Sequence, residues 1–234
     1  MSAQRFYLWD LPTRLFHWLL AVCVLAAVVS GQIGGNLIDW HARFGLAIVG
    51  LLVFRLVWGF IGSTYARFAQ FLPTPSQIRL YLRGEWQRPG HNPLGALSVF
   101  ALLGLIALQV ASGLFANDDI AFSGPLSDWV SKDISNQLTG WHKLSVNLLI
   151  GLVVLHIAAI LFYTHVKKDK LIKPMLTGWQ EGAAHAERQS AQGGGLFAFL
   201  IALGIAALAV YAASGAWLPT PAPLAPAALE TPNW

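Results

Sequence analysis

The sequence predicts an all-α membrane protein: a bundle of four transmembrane helices followed by a fifth, C-terminal transmembrane helix. Three observations carry that reading. Of 234 residues, 56% are hydrophobic and only 11% are charged, too little polarity to cover a soluble domain of this size. Five stretches reach the roughly 20 apolar residues that a helix needs to cross the hydrocarbon. Basic residues gather in alternate connections between those stretches, as they do when a chain threads a membrane back and forth.

The elements follow in chain order. Residues 11–31 form the first apolar stretch. No small-x-small cleavage pattern follows it, so it is expected as a permanent helix and not as a secretion signal. Residues 40–62 form the second, which carries Arg55. The third, 93–116, opens on "RPGHNPLG", where Pro93 suits the first helical position. The fourth, 140–165, reads "GWHKLSVNLLIGLVVLHIAAILFYTH". Residues 167–195 are too polar to cross and are expected at the membrane surface. Residues 196–217 form the fifth stretch, and the Pro- and Ala-rich tail 218–234 is expected to be flexible. The chain then divides into a core over 1–180, a linker with the fifth helix over 181–217, and a tail over 218–234.

Charge sets the orientation. With the N-terminus inside, the cytoplasmic parts hold Arg5, Arg14, Arg67, Arg79, Arg83, Arg88, Lys167, Lys168, Lys170, Lys173 and Arg188, against Arg43, Lys132 and Lys143 on the other face. That asymmetry points to a multi-pass membrane protein with its N-terminus on the cytoplasmic side and its C-terminus outside. The pI near 9.4 needs no nucleic-acid partner, because the basic residues lie between apolar segments instead of in one stripe. The single cysteine, Cys23, excludes an intrachain disulfide and leaves no Cys-x-x-Cys-His attachment site.

The histidines carry the chemistry. His142 and His156 stand 14 residues apart on the fourth stretch, about 21 Å along a helix axis and within roughly 40° of the same face. His17 lies at the depth of His156 on the first helix, and His41 at the depth of His142 on the second. Each histidine alone is ordinary for a helix end; four that pair by depth are not. The pairs are His17 with His156 and His41 with His142. Two neutral imidazoles facing each other suit the axial positions of haem iron. Zinc or copper would want a third or fourth ligand, and no Cys, Asp, Glu or further His stands beside either pair. Without attachment cysteines, the cofactors expected are two non-covalent b haems.

Arg55 repeats the 14-residue spacing from His41, so it points to the same side near the depth of the inner pair. A haem propionate is its expected partner; the alternative is snorkelling to the surface. Gly45, Gly50, Gly104, Gly113 and Gly151 would admit a flat macrocycle, but close helix packing accounts for them equally well. Trp9, Trp18, Trp40, Trp58, Trp129 and Trp141 fall near helix ends, as an interfacial aromatic belt would.

Taken together, "LWDLPTRLFHW", "WHARFGLAIVGLLVFRLVWGFIG", "GHNPLGALSVFALLGLIALQVASGLF" and "GWHKLSVNLLIGLVVLHIAA" resemble bacterial cytochrome b561 over residues 6–180. The branch is that of the di-haem b-type cytochrome subunits of nickel-iron hydrogenases. The resemblance implies a four-helix core with two b haems held by His17, His41, His142 and His156, the four that depth matching selects. It also implies electron transfer between the membrane quinone pool and a periplasmic redox partner, such as a c-type cytochrome or a hydrogenase-like subunit. The resemblance leaves His91 without a role. His165 and His185, beside surface charges, are expected at the interface, and His91 or His165 is a candidate for proton exchange with a quinol. The acidic loop 117–136 is a candidate surface for a basic partner. Two readings compete: a self-sufficient quinone reductase fed by a small reductant such as superoxide, and a haem-free anchor or transporter. Against a transporter, no acidic residue lies within a predicted span.

Overall fold

The computed structural model describes residues 4–120, 122–182 and 189–218. His185, and the tail beyond Leu218, lie outside the described residues. The order is β1 (Gln4–Tyr7), α1 (Leu11–Ile33), α2 (Ile38–Ile61), α3 (Phe68–Phe71), α4 (Pro75–Leu82), α5 (Pro93–Leu114), α6 (Lys132–His165), α7 (Ile172–Thr177), β2 (Trp179–Gly182) and α8 (Gly195–Ala213). Helices α1, α2, α5, α6 and α8 are long and apolar enough to cross a membrane.

Local chemistry sets where these helices begin. Asp10 caps α1 by accepting the Thr13 N–H, and Pro12 follows at a position whose missing N–H costs nothing. Asn92 does the same for α5, accepting the Gly95 N–H ahead of Pro93. Thr74 and Gln77 form a reciprocal capping box on α4. Along α1, the exposed residues Leu11, Leu15, Trp18, Val22, Leu25 and Val29 recur every three to four positions, the stripe expected of a lipid-facing side.

Two features depart from the sequence reading. Helix α6 starts at Lys132, eight residues before the expected 140, and runs for 34 residues, about 51 Å. Hydropathy marks only the part within the membrane, whereas its first turns are polar because they bind the preceding loop. Ser135 is buried and donates to the Phe115 carbonyl at 2.6 Å, and Thr139 accepts the Asn117 N–H at 3.0 Å. The second departure is a small sheet in an otherwise helical chain. β1 and β2 pair antiparallel from Gln4↔Gly182 to Tyr7↔Trp179, tying the N-terminus to the segment after α6 at the end that holds α4.

In the bundle, α1 packs along α2, α2 along α8, and α5 along α6, with α2 and α5 joining the halves. One apolar cluster combines Phe16, Leu52, Phe54, Trp58 and Leu103 with Ala202 and Ala206 of α8, so the fifth helix is part of the core. A second, nearer the other end, combines Ala27, Ile48, Ile106 and Leu149 from α1, α2, α5 and α6. The expected aromatic belt is only partly one. Trp18, Trp40, Trp129 and Trp141 are exposed, but Trp9 and Trp58 are buried. Trp58 donates its Nε1–H to Asp10 Oδ2 at 3.0 Å, a polar partner that lets an indole sit inside.

Candidate functional site

Two histidine clusters lie at opposite ends of the bundle, separated by the Ala27–Ile48–Ile106–Leu149 layer. At the end that the charge pattern leads one to expect outside, here called the outer end, His41 near the start of α2 faces His142 of α6, with ring centres 5.8 Å apart and planes nearly perpendicular. Each ring is held by a helix that supplies no histidine of the pair. His41 Nδ1 lies 2.7 Å from the Ala27 carbonyl of α1, and His142 Nδ1 lies 2.9 Å from the Gln109 carbonyl of α5. A carbonyl only accepts, so Nδ1 carries the proton in both rings and Nε2 keeps its lone pair. Gln109 also donates Nε2–H to the His142 carbonyl at 3.1 Å and accepts the Ser145 hydroxyl at 2.5 Å.

Glycine makes room for both rings. A Cβ on Gly31 would stand 2.7 Å from His41 Nδ1, and one on Gly113 would stand 2.8 Å from His142 Cε1. Of the glycines the sequence singled out, Gly113 serves an imidazole and Gly50 admits Val210 of α8, while Gly45, Gly104 and Gly151 face open space. The pair opens on a cavity of about 560 Å³ lined by α1, α2, α5 and α6, within the size range of cofactor sites. Its lining is mainly apolar, including Val24, Ile48, Ile106 and Val110, with Lys143 and Asn147 as polar members. Sequence reading did not find Gly31 or Gln109. The only available signal was their spacing, one turn beyond Ala27 and four residues before Gly113 respectively.

At the inner end, His17 of α1 and His156 of α6 lie within electrostatic reach of each other. Ser98 of α5 approaches His156 Nδ1 at 3.4 Å, and His17 Nδ1 is buried without a hydrogen-bond partner. Arg55 is 3% exposed, its guanidinium 4.5 Å over the Phe68 ring and its Nη1 without a partner. It has not snorkelled to the surface.

His91, left without a role by the sequence, joins this cluster. Its ring packs against Phe71 at 4.4 Å and Trp9 at 4.7 Å, and its Nδ1 is buried and unpartnered. Burial, then the Arg55 cation, push its pKa down to about 3, so the ring is neutral at physiological pH. His165 is exposed. Among the described residues, no group of three or more His, Cys, Asp or Glu is placed to hold a metal ion.

The sequence profile described as prokaryotic cytochrome b561 matches residues 8–178. The chain belongs to the prokaryotic cytochrome b561 family. Among curated relatives, a probable Ni/Fe-hydrogenase B-type cytochrome subunit of Azotobacter vinelandii is 25% identical over 215 residues, spanning 74% of this chain and 88% of the relative. The protein of the same description from Rhizobium leguminosarum bv. viciae is 24% identical over 216 residues, spanning 76% and 90%. The probable Ni/Fe-hydrogenase 1 B-type cytochrome subunit of Escherichia coli K12 is 22% identical over 214 residues, spanning 74% and 90%. No solved structure gives a significant match.

Membership makes this cytochrome b561 relative a multi-pass membrane protein of electron transport with haem b as its cofactor. The outer cluster fits that group. Two imidazole–metal bonds of about 2 Å placed end to end separate the ring centres by roughly 6 Å, close to the 5.8 Å observed. Both rings have a free Nε2, and a carbonyl on the opposite nitrogen is the usual way a ligating imidazole is oriented.

Proposed function

We propose that this chain is a di-haem cytochrome that passes electrons between the membrane quinone pool and a redox partner at the outer face. The ligand pairs would be His41 with His142 and His17 with His156. The observation that carries this reading is the outer pair, with both Nδ1–H groups committed to carbonyls and both Nε2 atoms left free. Bound haem b supplies a one-electron iron couple. His41 and His142 would hold it between the α1/α2 and α5/α6 halves, while Ala27, Ile48, Ile106 and Leu149 would keep water from the path between the sites. Arg55 at the inner end would supply a charged fork for a propionate.

The names of the curated relatives support a hydrogenase-like subunit as the partner. The charge asymmetry supports a cytoplasmic N-terminus, which sets the outer pair and the loop around Asp118, Asp119 and Asp128 on the periplasmic side. Lipid and quinone would then meet the inner end.

The test is a pyridine haemochrome assay with reduced-minus-oxidised spectra of the wild type and four alanine variants. Two b haems per chain are expected. His41→Ala and His142→Ala should remove one spectral component, and His17→Ala and His156→Ala the other. Loss of the same component in His17→Ala and His142→Ala would overturn the pairing; absence of haem from a folded wild type would overturn the function.

A further inference from the structure

We infer that Arg55 and His91 form one carboxylate-binding pair at the inner end of the bundle, and that the carboxylate is a haem propionate. The inference rests on the reading that His17 and His156 hold haem. It adds His91, from the connection before α5, to a site otherwise built from α1, α2, α5 and α6.

Arg55 is buried, and its Nη1 meets no acceptor. A buried cation in that state is strongly unfavourable unless an anion completes it. Asp10 is within electrostatic reach, but its oxygens are engaged, Oδ1 by the Thr13 N–H at 2.8 Å and Oδ2 by the Trp58 Nε1–H at 3.0 Å. His91 Nδ1, like His17 Nδ1, is also buried without a hydrogen-bond partner. An aromatic chain links Arg55 to His91: the guanidinium lies 4.5 Å over Phe68, Phe68 meets Phe71 at 5.9 Å, and Phe71 packs on the His91 ring at 4.4 Å. Trp9 holds the same imidazole at 4.7 Å, so the ring is fixed in orientation.

His91 lies within electrostatic reach of Arg55, His17 and His156 together. One fork of charged donors and one neutral N–H match the two oxygens of a single carboxylate. A haem held by His17 and His156 brings such carboxylates into this cluster. A free inorganic anion has the same chemistry and is the source to be distinguished.

The experiment follows haem loss from the inner site to excess apomyoglobin, with the inner component identified by its absence from His17→Ala. His91→Phe keeps the aromatic packing and removes the donor, whereas His91→Gln keeps a donor. His91→Phe should release inner haem roughly ten-fold faster or more, His91→Gln should fall between, and outer haem should be unaffected. Reconstitution with haem dimethyl ester, which lacks both carboxylates, should make wild type and His91→Phe release at the same rate. Equal rates with ordinary haem would overturn the inference. So would an unchanged ratio with the ester, which would assign the effect to a free anion or to packing. A wild type without inner haem would instead overturn the di-haem reading itself.

Discussion

Gly31 and Gly113 show how one missing methyl group can decide an imidazole's position. At Gly31 a Cβ would meet His41 Nδ1 at 2.7 Å, closer than such atoms approach, and the ring is already tied to Ala27. Gly31→Ala should therefore displace His41 and destabilise the fold by about 1–3 kcal/mol. Haem stoichiometry should fall at the outer component alone; an unchanged difference spectrum would show that the ring has room to move. Asp10 acts on two elements at once, capping α1 and accepting from Trp58. Asp10→Ala should lose about 2 kcal/mol, the sum of a lost cap and a buried indole N–H without an acceptor, read as a lowered Tm in detergent. The sequence marked Asp10 only as the residue before Leu-Pro. Its bond to Trp58, 48 residues away, is a tertiary fact, and so is the burial of Trp9 and Trp58 away from the membrane interface.

Small side chains bring α8 against α2, a contact that needs close packing because lipid tails solvate apolar surface as well as a protein interior does. Helix α8 meets α2 through Ala202 and Ala206, at 0% and 5% exposure, and Gly50 of α2 accepts Val210 of α8. Ala202→Leu should push α8 from α2 at a cost of about 1–3 kcal/mol while both haem components persist, since α8 carries no histidine. Loss of haem would tie the fifth helix to the haem sites. The β1–β2 clip is an element of a different kind, held at the surface by Glu181 with Lys170 at 2.9 Å, Lys173 at 2.8 Å and Arg5 at 3.8 Å. Hydrogen bonds from Lys173 and then Lys170 hold the Glu181 carboxyl at about 2, against a usual 4.5. A pKa lowered on folding gives stability that is present above the unfolded value and lost as pH falls through the folded one. The protection of the β1 and β2 amides, taken relative to intrinsic exchange, should therefore fall as pH drops from about 4.5 to 2, and Glu181→Gln should abolish that dependence.

Across the whole molecule the two ends differ electrically. Each outer imidazole donates Nδ1–H to a carbonyl, which makes Nε2 more electron-rich and favours ferric iron. Among the described residues the inner pair shows no such carbonyl bond, His17 Nδ1 being without a partner and His156 Nδ1 facing Ser98. The buried Arg55 cation lies 6.0 Å over the ring of Phe16, the neighbour of His17 in the chain; a positive charge there would favour ferrous iron, and Asp10 would offset it only in part. The component lost in His41→Ala should therefore titrate at a lower potential than the one lost in His17→Ala, making outer-to-inner electron flow downhill. The reverse order in a redox titration would overturn this asymmetry. Five crossings with the proposed cytoplasmic N-terminus would end outside, so a periplasm-dependent reporter fused after Leu218 should be active and one at the N-terminus silent.

The sequence alone determined the membrane class, the five apolar helices, the family resemblance and the depth of each histidine. The resemblance rests on the quoted motifs; the others follow from composition and a fixed helical rise, which are properties of the chain read locally. Depth matching also paired His41 with His142, whose rings do meet at 5.8 Å. Only the tertiary structure decided which backbone groups orient those rings and which glycines admit them, because Ala27, Gln109, Gly31 and Gly113 act from other helices and carry no periodic signal. It also brought His91 within electrostatic reach of Arg55, buried Trp58 on Asp10, and paired the first strand with one more than 170 residues later. Such contacts depend on how whole helices pack, and hydropathy, which records depth, does not record azimuth between neighbours.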